Sequence, residues 1–238
     1  MILNFDVKGL EVVAACYLSK DATLKSELDA EIDIHTMNMN DLGLPNRGVA
    51  KTFQFRILYG GSVFHNDPDF TSVSTSRRFW DRVIEKYYEK YHGIYKWHVD
   101  LIRTVNNTGM ITNPTGRTFR FERIRNYKGE LEYPATQIKN HPVQSLGADI
   151  MSLIRVDFYR KFKNAGISGI IVNSVHDSIV LDLDGINDVS AVDRTRDILY
   201  NVLTDFPHNF ERIFGVPFDL KIHGEIEIGK NMYDMVKI

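Results

Sequence analysis

The chain has 238 residues and a mass of 27.4 kDa, and 43% of its residues are hydrophobic, so it can bury a large core without covalent staples. Its single cysteine, Cys16, excludes a disulfide framework and a multi-cysteine zinc site and is typical of a reducing compartment. The sequence has no apolar run of the roughly 18 residues that a membrane span needs, and no basic segment precedes an apolar run at the N-terminus. We therefore expect a cytoplasmic protein without a membrane span or signal peptide.

The formal net charge of −2 conceals an uneven distribution of charge along the chain. Residues 1–43 contain 3 basic and 8 acidic side chains, residues 44–128 contain 15 and 7, and residues 129–238 contain 11 and 16. Ordinary solvated charge explains such a pattern. A phosphate-binding middle segment between acidic, metal-holding ends explains it as well. Near-neutrality therefore does not exclude a nucleic-acid binder.

Hydrophobic patterning predicts a mixed α+β chain without internal repeats or a linker rich in Pro, Gly or Ser. The predicted elements are a strand over 2–7, a helix over 10–18, a helix over 46–58, one long amphipathic helix over 78–105, a hairpin over 109–134, a helix over 142–164, two β-runs over 169–182 that meet at residues 176 and 177, a helix over 190–205 and strands near 218–228.

Four side chains follow one another at four-residue intervals on the predicted helix 46–58 and just beyond it. They are Arg47, Lys51, Phe55 and Tyr59. Because four residues turn a helix by about 400°, these side chains share one broad face. Two cations suit a polyphosphate, and two aromatic rings suit a sugar and a base. A solvated helix face whose aromatic residues reach the core explains the same spacing.

Two aspartates end apolar runs that are far apart in sequence. Asp6 ends the first predicted strand, and Asp177 lies at the tip of the predicted hairpin 169–182. A carboxylate in such a position is costly unless it is paired, hydrogen-bonded or bound to a metal. If both converge on one site, they can chelate two Mg²⁺ ions with the help of substrate phosphates. For each aspartate alone, a cap or a turn is the simpler explanation.

Six segments in this order along the chain resemble sequence blocks of the family A DNA polymerases, the bacterial DNA polymerase I type. They are DVKGLEVVAACYLSKD (6–21), similar to motif A; DIHT (33–36); NRGVAKTFQFRILYG (46–60), similar to motif B; NHPVQ (140–144); VHDS (175–178), similar to motif C; and GKNM (229–232). The resemblance covers nearly the whole chain.

The resemblance implies a palm, whose antiparallel sheet carries the catalytic aspartates, and a helical fingers subdomain. Residues 1–21 and 131–238 would form the palm and residues 22–130 the fingers. The chain leaves no room for a thumb or an exonuclease domain. The resemblance therefore implies a separate polypeptide that supplies the thumb and, where present, a 3′→5′ exonuclease, as in a split polymerase of the bacteriophage type.

The implied activity is template-directed DNA synthesis, in which the nucleotidyl group of a dNTP is transferred to a primer 3′-OH. Asp6 and Asp177 would be catalytic and would bind two Mg²⁺ ions, for which Mn²⁺ can substitute. The residues implied to bind the dNTP are Arg47, Lys51, Phe55, Tyr59, Glu11 and His35. The residues implied to contact the primer-template DNA are Asn140, Gln144, His176 and Arg117.

The chain departs from the family pattern at a few positions. Ser178 stands where an acidic residue often follows the motif C aspartate. Lys8 and Gly9 replace the serine and glutamine of motif A, and Thr136 replaces an expected arginine. The departures leave both metal-binding aspartates in place, so we expect the chemistry to survive.

Two other functional classes remain open at this point. A single-subunit RNA polymerase would share the overall mechanism, but Glu11 and Phe55 argue against it. A catalytically silent DNA-binding subunit of a replication complex would not need the four residues Asp6, Asp177, Arg47 and Lys51, and the chain retains them all.

Overall fold

The structure is a computed structural model that describes residues 1–63, 67–184 and 189–238. These residues form two compact units, one made of Met1–Val13 and Ser145–Ile238 and the other of Ala14–Gln144. The helices are α1 (Leu10–Ser19), α2 (Ala22–Asp29), α3 (Ile34–Leu42), α4 (Arg47–Leu58), α5 (Pro68–Thr71), α6 (Arg77–Lys90), α7 (His92–Thr108), α8 (Ala135–Asn164) and α9 (Val189–Phe214). The strands are β1 (Ile2–Val7), β2 (Met110–Thr112), β3 (Thr118–Arg120), β4 (Ile124–Arg125), β5 (Leu131–Glu132), β6 (Gly169–Val175), β7 (Ser178–Leu183), β8 (Gly224–Gly229) and β9 (Val236–Lys237).

The first unit contains a five-stranded antiparallel sheet in the order β6-β7-β1-β8-β9. The central strand β1 alternates: Leu3, Phe5 and Val7 are fully buried, whereas Asp6 lies on the other, half-buried face. The register pairs Asp6 with Ser178 of β7 and with Glu225 of β8. Directly opposed residues project from the same face, so polar side chains gather beside Asp6. The predicted mixed fold with an antiparallel sheet is confirmed.

A cluster of aromatic rings packs between α9 and the segment that follows it in this unit. Phe206 and Phe210 both pack against Phe218, with ring centroids 5.0 Å apart in each pair. Phe218, Leu220 and Ile222 are buried alternately along the chain, as in a strand, yet they lie outside the sheet. The strand predicted near 218–228 therefore begins only at Gly224, since alternating burial requires an extended backbone but no hydrogen-bonded neighbour.

The second unit is mostly helical, and its core is built from large aromatic side chains. The Phe70 ring meets the edge of Trp80 at 5.1 Å, and the Phe53 ring meets Tyr87 at 5.7 Å, in nearly perpendicular pairs. Each such pair contributes about 0.5–1.5 kcal/mol beyond the burial of its area. Cys16 on α1 is also buried, with 2% of its surface exposed. None of the helices among the described residues is both long and apolar enough to cross a bilayer.

The long helix predicted over 78–105 is wrong as a single element, because α6 and α7 are separated at Tyr91. Tyr91 leaves the helical region, with φ −107° and ψ 66°, and its hydroxyl lies 2.7 Å from Glu27 and 2.9 Å from Asn38. Asp21 accepts hydrogen bonds from the amides of Gly93 at 2.7 Å and Ile94 at 3.3 Å, in the first turn of α7. These long-range hydrogen bonds interrupt a helix that local periodicity alone would continue.

Other boundaries differ in smaller ways. The strand over 2–7, the helices over 10–18 and 46–58 and the β-runs meeting at 176–177 are confirmed. The helix predicted from 142 begins at Ala135, so Pro142 lies inside α8 rather than in its first turn. The Pro142 carbonyl accepts a hydrogen bond from the Asn113 side chain at 2.9 Å. The hairpin predicted over 109–134 is two short ribbons, β2-β3 and β4-β5. The last helix extends from 189 to 214.

We expect Asp21→Ala to destabilise the second unit by about 2–4 kcal/mol, because the buried carboxylate caps two helices. Asp21 accepts from Leu24 of α2 at 2.8 Å as well as from the first turn of α7, and it is 2% exposed. Urea unfolding measures the loss. Asp29→Ala, an exposed acidic residue at the end of α2, is the matched control and should change the free energy of unfolding by less than about 0.5 kcal/mol.

Candidate active site

The first unit presents an acidic surface where β1, β7 and β8 lie side by side. Asp6 is flanked across the strands by Ser178 and Glu225, and Glu227 lies opposite Asn4 on the same face of β8. The backbone amide of Val7 donates to the carbonyl of Asp177 at 2.9 Å, so the end of β1 is fastened to the turn that carries Asp177. The structure thus brings both predicted catalytic aspartates to neighbouring strand ends of one sheet.

The environment of Asp6 disfavours its negative charge. Burial, and after it the neighbouring charges of Asp177, Glu225, Glu227 and Glu11 in that order, together raise the pKa of Asp6 to about 6. A carboxylate surrounded by like charge gains most from a nearby cation. The acidic surface therefore has the electrostatic character of a cation site.

The raised pKa of Asp6 predicts a pH-dependent effect on stability. The folded protein holds the Asp6 proton up to a pH of about 6, whereas the unfolded chain releases it near 3.8, so stability falls as the pH rises between these values. We expect Asp6→Asn to raise the melting temperature at pH 7.5 and to leave it nearly unchanged at pH 4. Differential scanning fluorimetry at both pH values measures this.

The matched control is Glu211→Gln, which neutralises an exposed acidic residue on α9. It should not reproduce the stabilisation at pH 7.5. Equal melting temperatures for wild type and Asp6→Asn at pH 7.5 would contradict the crowding of charge at Asp6.

Asp177 lies in the turn between β6 and β7, next to a residue with a strained backbone conformation. His176, which precedes it, has φ +51°, in the left-handed region that costs a non-glycine residue about 1–2 kcal/mol. The His176 side chain is exposed, and Asp177 is half-buried. Strain at a non-glycine residue is often retained where it positions a functional group, and here that group is Asp177.

The donor atoms at this surface fit Mg²⁺ or Mn²⁺, which prefer carboxylate oxygens. Among residues 1–63, 67–184 and 189–238, no three His, Cys, Asp or Glu side chains converge closely enough to form a complete metal cage. Mg²⁺ commonly binds one or two carboxylates and completes its shell with water and substrate phosphates.

The second unit presents the predicted face of α4. The Lys51 ammonium lies 5.9 Å from the centre of the Phe55 ring, and the Phe55 and Tyr59 rings stack at 6.1 Å with planes 24° apart. These three side chains line one side of a pocket of about 430 Å³, together with Thr52, Arg56, Gly61 and Thr136. The shared face predicted from four-residue spacing is therefore present, and its aromatic rings are half-buried rather than lost in the core.

Arg47 begins α4 and is held by an acidic partner. Its Nε donates to Asp33 Oδ2 at 2.7 Å, and Asp33 also accepts from the amides of His35 and Thr36 as the N-cap of α3. Arg47 holds the pKa of Asp33 well below its usual range. Asp33 therefore orients the Arg47 guanidinium through one nitrogen.

His35 lies beside this helix face as well. Its Nδ1 is 2.9 Å from Gln54 Oε1, and its ring centre is 5.8 Å from that of Phe55. Burial lowers the pKa of His35, and the charges of Arg47 and Lys51 also lower it, although Gln54 opposes this. These effects favour the neutral form of His35, in which a proton on Nδ1 would let the ring donate to Gln54 Oε1. An anion placed between the cations would favour a second proton.

The residues predicted to contact primer-template DNA are divided between the units. Gln144 donates through Nε2 to the Tyr59 hydroxyl at 2.7 Å, which links two predicted site residues within the second unit. Asn140 is half-buried one turn earlier on α8, and Arg117 is exposed before β3. Glu11 and His176 belong to the first unit, so their approach to the helix face of α4 stays a prediction.

Sequence reasoning missed several side chains of this site. Glu225 lies across from Asp6 and pairs with Lys8 at 2.6 Å and Lys237 at 2.5 Å, and both cations lower the pKa of Glu225. The alternation in GEIEIG (224–229) marks a strand with an acidic face, but nothing local shows that this strand neighbours β1. Lys8, noted only as a departure from motif A, thus has a partner.

A sequence model of DNA polymerase family A matches residues 1–234. The DNA polymerase I of Treponema pallidum is 26% identical over 191 residues, which cover 76% of this chain and 19% of that protein. A DNA polymerase of Bacillus phage SP01 is 26% identical over 247 aligned positions, covering 98% of this chain and 26% of that protein. The chain thus spans about a fifth to a quarter of the length of these relatives.

A solved structure confirms the fold. The chain resembles the structure described as the POL domain of Pol1 from M. smegmatis in complex with DNA primer-template and dNTP, with a TM-score of 0.77. The match covers 97% of this chain and 39% of the other, at 18% identity. At that identity the likeness supports a shared fold.

Proposed function

Because this chain belongs to DNA polymerase family A, we propose that it catalyses template-directed DNA synthesis by transferring a nucleotidyl group from a dNTP to a primer 3′-OH. The observation that carries the proposal is the convergence of Asp6 and Asp177 at one acidic surface of the sheet, where Asp6 has a pKa of about 6. Crowded carboxylates are expected where divalent cations and a polyphosphate are to be bound.

In this proposal Asp6 and Asp177 hold two Mg²⁺ ions, or Mn²⁺ in their place. Such ions supply charge stabilisation for the phosphoryl group and lower the pKa of the attacking hydroxyl. The chain supplies the geometry: the β1–β7 pairing fixes Asp6, and the strained turn at His176 fixes Asp177. The ion pairs of Glu225 with Lys8 and Lys237 limit the excess negative charge beside Asp6.

The helix face of α4 would bind the incoming dNTP. Arg47 and Lys51 would contact the triphosphate, and His35 would donate to it once the bound anion has raised its pKa. Phe55 would pack on the sugar, where Glu11 and Tyr59 would exclude a 2′-hydroxyl. Support comes from the pocket of about 430 Å³ along Lys51, Phe55 and Tyr59.

Four further residues would position the primer-template DNA. Asn140, Gln144 and His176 would contact it near the primer terminus, and Arg117 would contact its backbone. The hydrogen bond from Gln144 to Tyr59 supports a link between the DNA and the nucleotide-binding helix face. In family terms, residues 1–21 and 131–238 would be the palm and residues 22–130 the fingers.

We also propose that a separate polypeptide supplies a thumb and, where present, a 3′→5′ exonuclease, as in split polymerases of bacteriophages. The 238 residues correspond to 19–26% of the length of the two relatives named above. Without a thumb, few contacts would hold duplex product, so the chain alone should synthesise DNA weakly.

The test is primer extension by the 238-residue chain with Mg²⁺ and dNTPs, with and without a thumb-containing N-terminal fragment of a related polymerase. We expect extension that depends on template, Mg²⁺ and dNTPs and that increases with the fragment. Incorporation of NTPs in preference to dNTPs would instead indicate an RNA polymerase. Binding of primer-template DNA without any primer extension would indicate a catalytically silent subunit.

A further inference from the structure

The β4-β5 hairpin and the residues just before it form an exposed basic surface in the second unit. This surface, called the basic hairpin, consists of Arg120, Arg123, Arg125, Tyr127 and Lys128. All five side chains are exposed, and Tyr127, in the turn of the hairpin, is 93% exposed. The Tyr127 ring therefore contributes nothing to the core and is available to a ligand.

The turn that presents Tyr127 is held by its own hydrogen bonds. Asn126 Oδ1 accepts from the amides of Lys128 at 2.9 Å and Glu130 at 3.0 Å, and Arg125 donates to the carbonyl of Gly129 at 2.8 Å. Gly129 has φ +82°, a conformation that favours glycine. A preorganised turn loses little conformational freedom when it binds a ligand.

The four cations of the basic hairpin outnumber by one the exposed acidic residues among them, Glu122, Glu130 and Glu132. Glu130 and Glu132 accept from Asn126 Nδ2 at 3.2 Å and 3.1 Å. In the described part of the chain, the four cations of the basic hairpin make no ion pair with a carboxylate; Arg123 and Lys128 instead lie over tyrosine rings. Clustered cations without paired anions create a positive potential that attracts phosphates.

Two aromatic rings and a pocket accompany these cations. The Lys128 ammonium lies 5.6 Å from the centre of the Tyr127 ring, and the Arg123 guanidinium lies 5.1 Å from that of Tyr133. Arg123 and Tyr133 also line a pocket of about 390 Å³ that includes Asn106 and Glu132. Aromatic rings and Arg planes alternating with phosphate-binding cations are the features with which proteins bind unpaired bases.

We propose that the basic hairpin binds single-stranded DNA, with Tyr127 stacking on a base and the surrounding Arg and Lys side chains contacting neighbouring phosphates. The inference deepens the proposed function and rests on it for one point, that the bound strand is unpaired template. Duplex DNA is a poorer ligand for this surface because its bases are already stacked and cannot accept the Tyr127 ring.

The test measures the binding of a fluorescein-labelled single-stranded oligodeoxynucleotide to the full chain by fluorescence anisotropy, without dNTP or metal. We expect Tyr127→Ala to raise Kd about 5- to 10-fold and Tyr127→Trp to restore binding. Tyr200→Ala, which removes a half-exposed tyrosine from α9, is the matched control and should leave Kd unchanged. We expect Lys128→Gln to reduce the slope of log K against log salt by about 0.7, because one phosphate contact is lost.

Several outcomes would overturn the proposal. They are an equal effect of Tyr127→Ala and Tyr200→Ala, an equal loss of affinity for duplex DNA in Tyr127→Ala, tighter binding of RNA of the same sequence, and Tyr127-dependent binding to phosphatidylserine vesicles as strong as that to DNA. Failure of the proposed function is distinguishable: Tyr127-dependent binding in a chain that never extends a primer would remove the template role and keep the binding site.

Discussion

Substituting Asp177 with asparagine is expected to lower the rate of nucleotide addition by at least about 10³-fold. Asparagine has nearly the same shape as aspartate, so the backbone of the turn at His176 should be preserved. The asparagine side chain lacks the negative charge that would hold a divalent cation. The loss should fall on kcat, because the cation acts on the transferred phosphoryl group. Single-turnover primer extension with a saturating dNTP measures it.

A readout that does not require activity separates loss of the cation from loss of folding. We expect Mn²⁺ binding, followed by electron paramagnetic resonance in the presence of dNTP, to weaken in both Asp177→Asn and Asp6→Asn. Asp182→Asn is the matched control, because it neutralises an exposed aspartate on β7, the strand that follows the turn. If Asp177→Asn extended primers as fast as Asp182→Asn, the proposed catalytic role of Asp177 would be wrong.

Removing the Lys51 ammonium is expected to give the second largest effect, a loss of about 10- to 100-fold in kcat/KM for the dNTP. A charge-assisted contact with phosphate is worth about 1.5–3 kcal/mol, which corresponds to this range. Lys51 is exposed above the Phe55 ring, so its removal should cost little stability. Steady-state extension by Lys51→Ala measures the change, and Lys51→Arg should recover part of it because the charge returns.

Direct binding shows whether the loss concerns the nucleotide. Isothermal titration of the chain with Mg²⁺–dNTP should show weaker binding for Lys51→Ala and unchanged binding for Lys86→Ala, which removes an exposed lysine from α6. Weakened binding of DNA with unchanged binding of dNTP would place Lys51 on the nucleic-acid surface instead of the triphosphate.

Local signals predicted those parts of the fold that local energetics determine. The apolar run over 2–7 predicted β1, and the regular spacing from Asn46 to Leu58 predicted α4, whose N-cap is Asn46. The break at Tyr91 was not predictable in this way, because it depends on Glu27, Asn38 and Asp21, which are distant in sequence. Periodicity describes one helix at a time, whereas long-range hydrogen bonds decide where it stops.

The residues of the candidate site also fall into those that local sequence signals predict and those that they do not. Asp6 and Asp177 stood out because each ends an apolar run, and the spacing of Lys51, Phe55 and Tyr59 predicted a shared face that the structure contains. Glu225 did not stand out, because its place beside Asp6 follows from the order of strands in the sheet. Strand order is set by packing of the whole unit and leaves no mark in a short stretch of sequence.

The burial of Cys16 has a practical consequence for measuring motion. A thiol that is 2% exposed should react slowly with maleimide dyes, so surface cysteines introduced elsewhere can be labelled without first removing it. Replacing exposed Lys86 of α6 and half-exposed Tyr200 of α9 with cysteine would place one fluorophore on each unit. Single-molecule energy transfer between the dyes would then report whether a dNTP changes the distance between the units, and how fast.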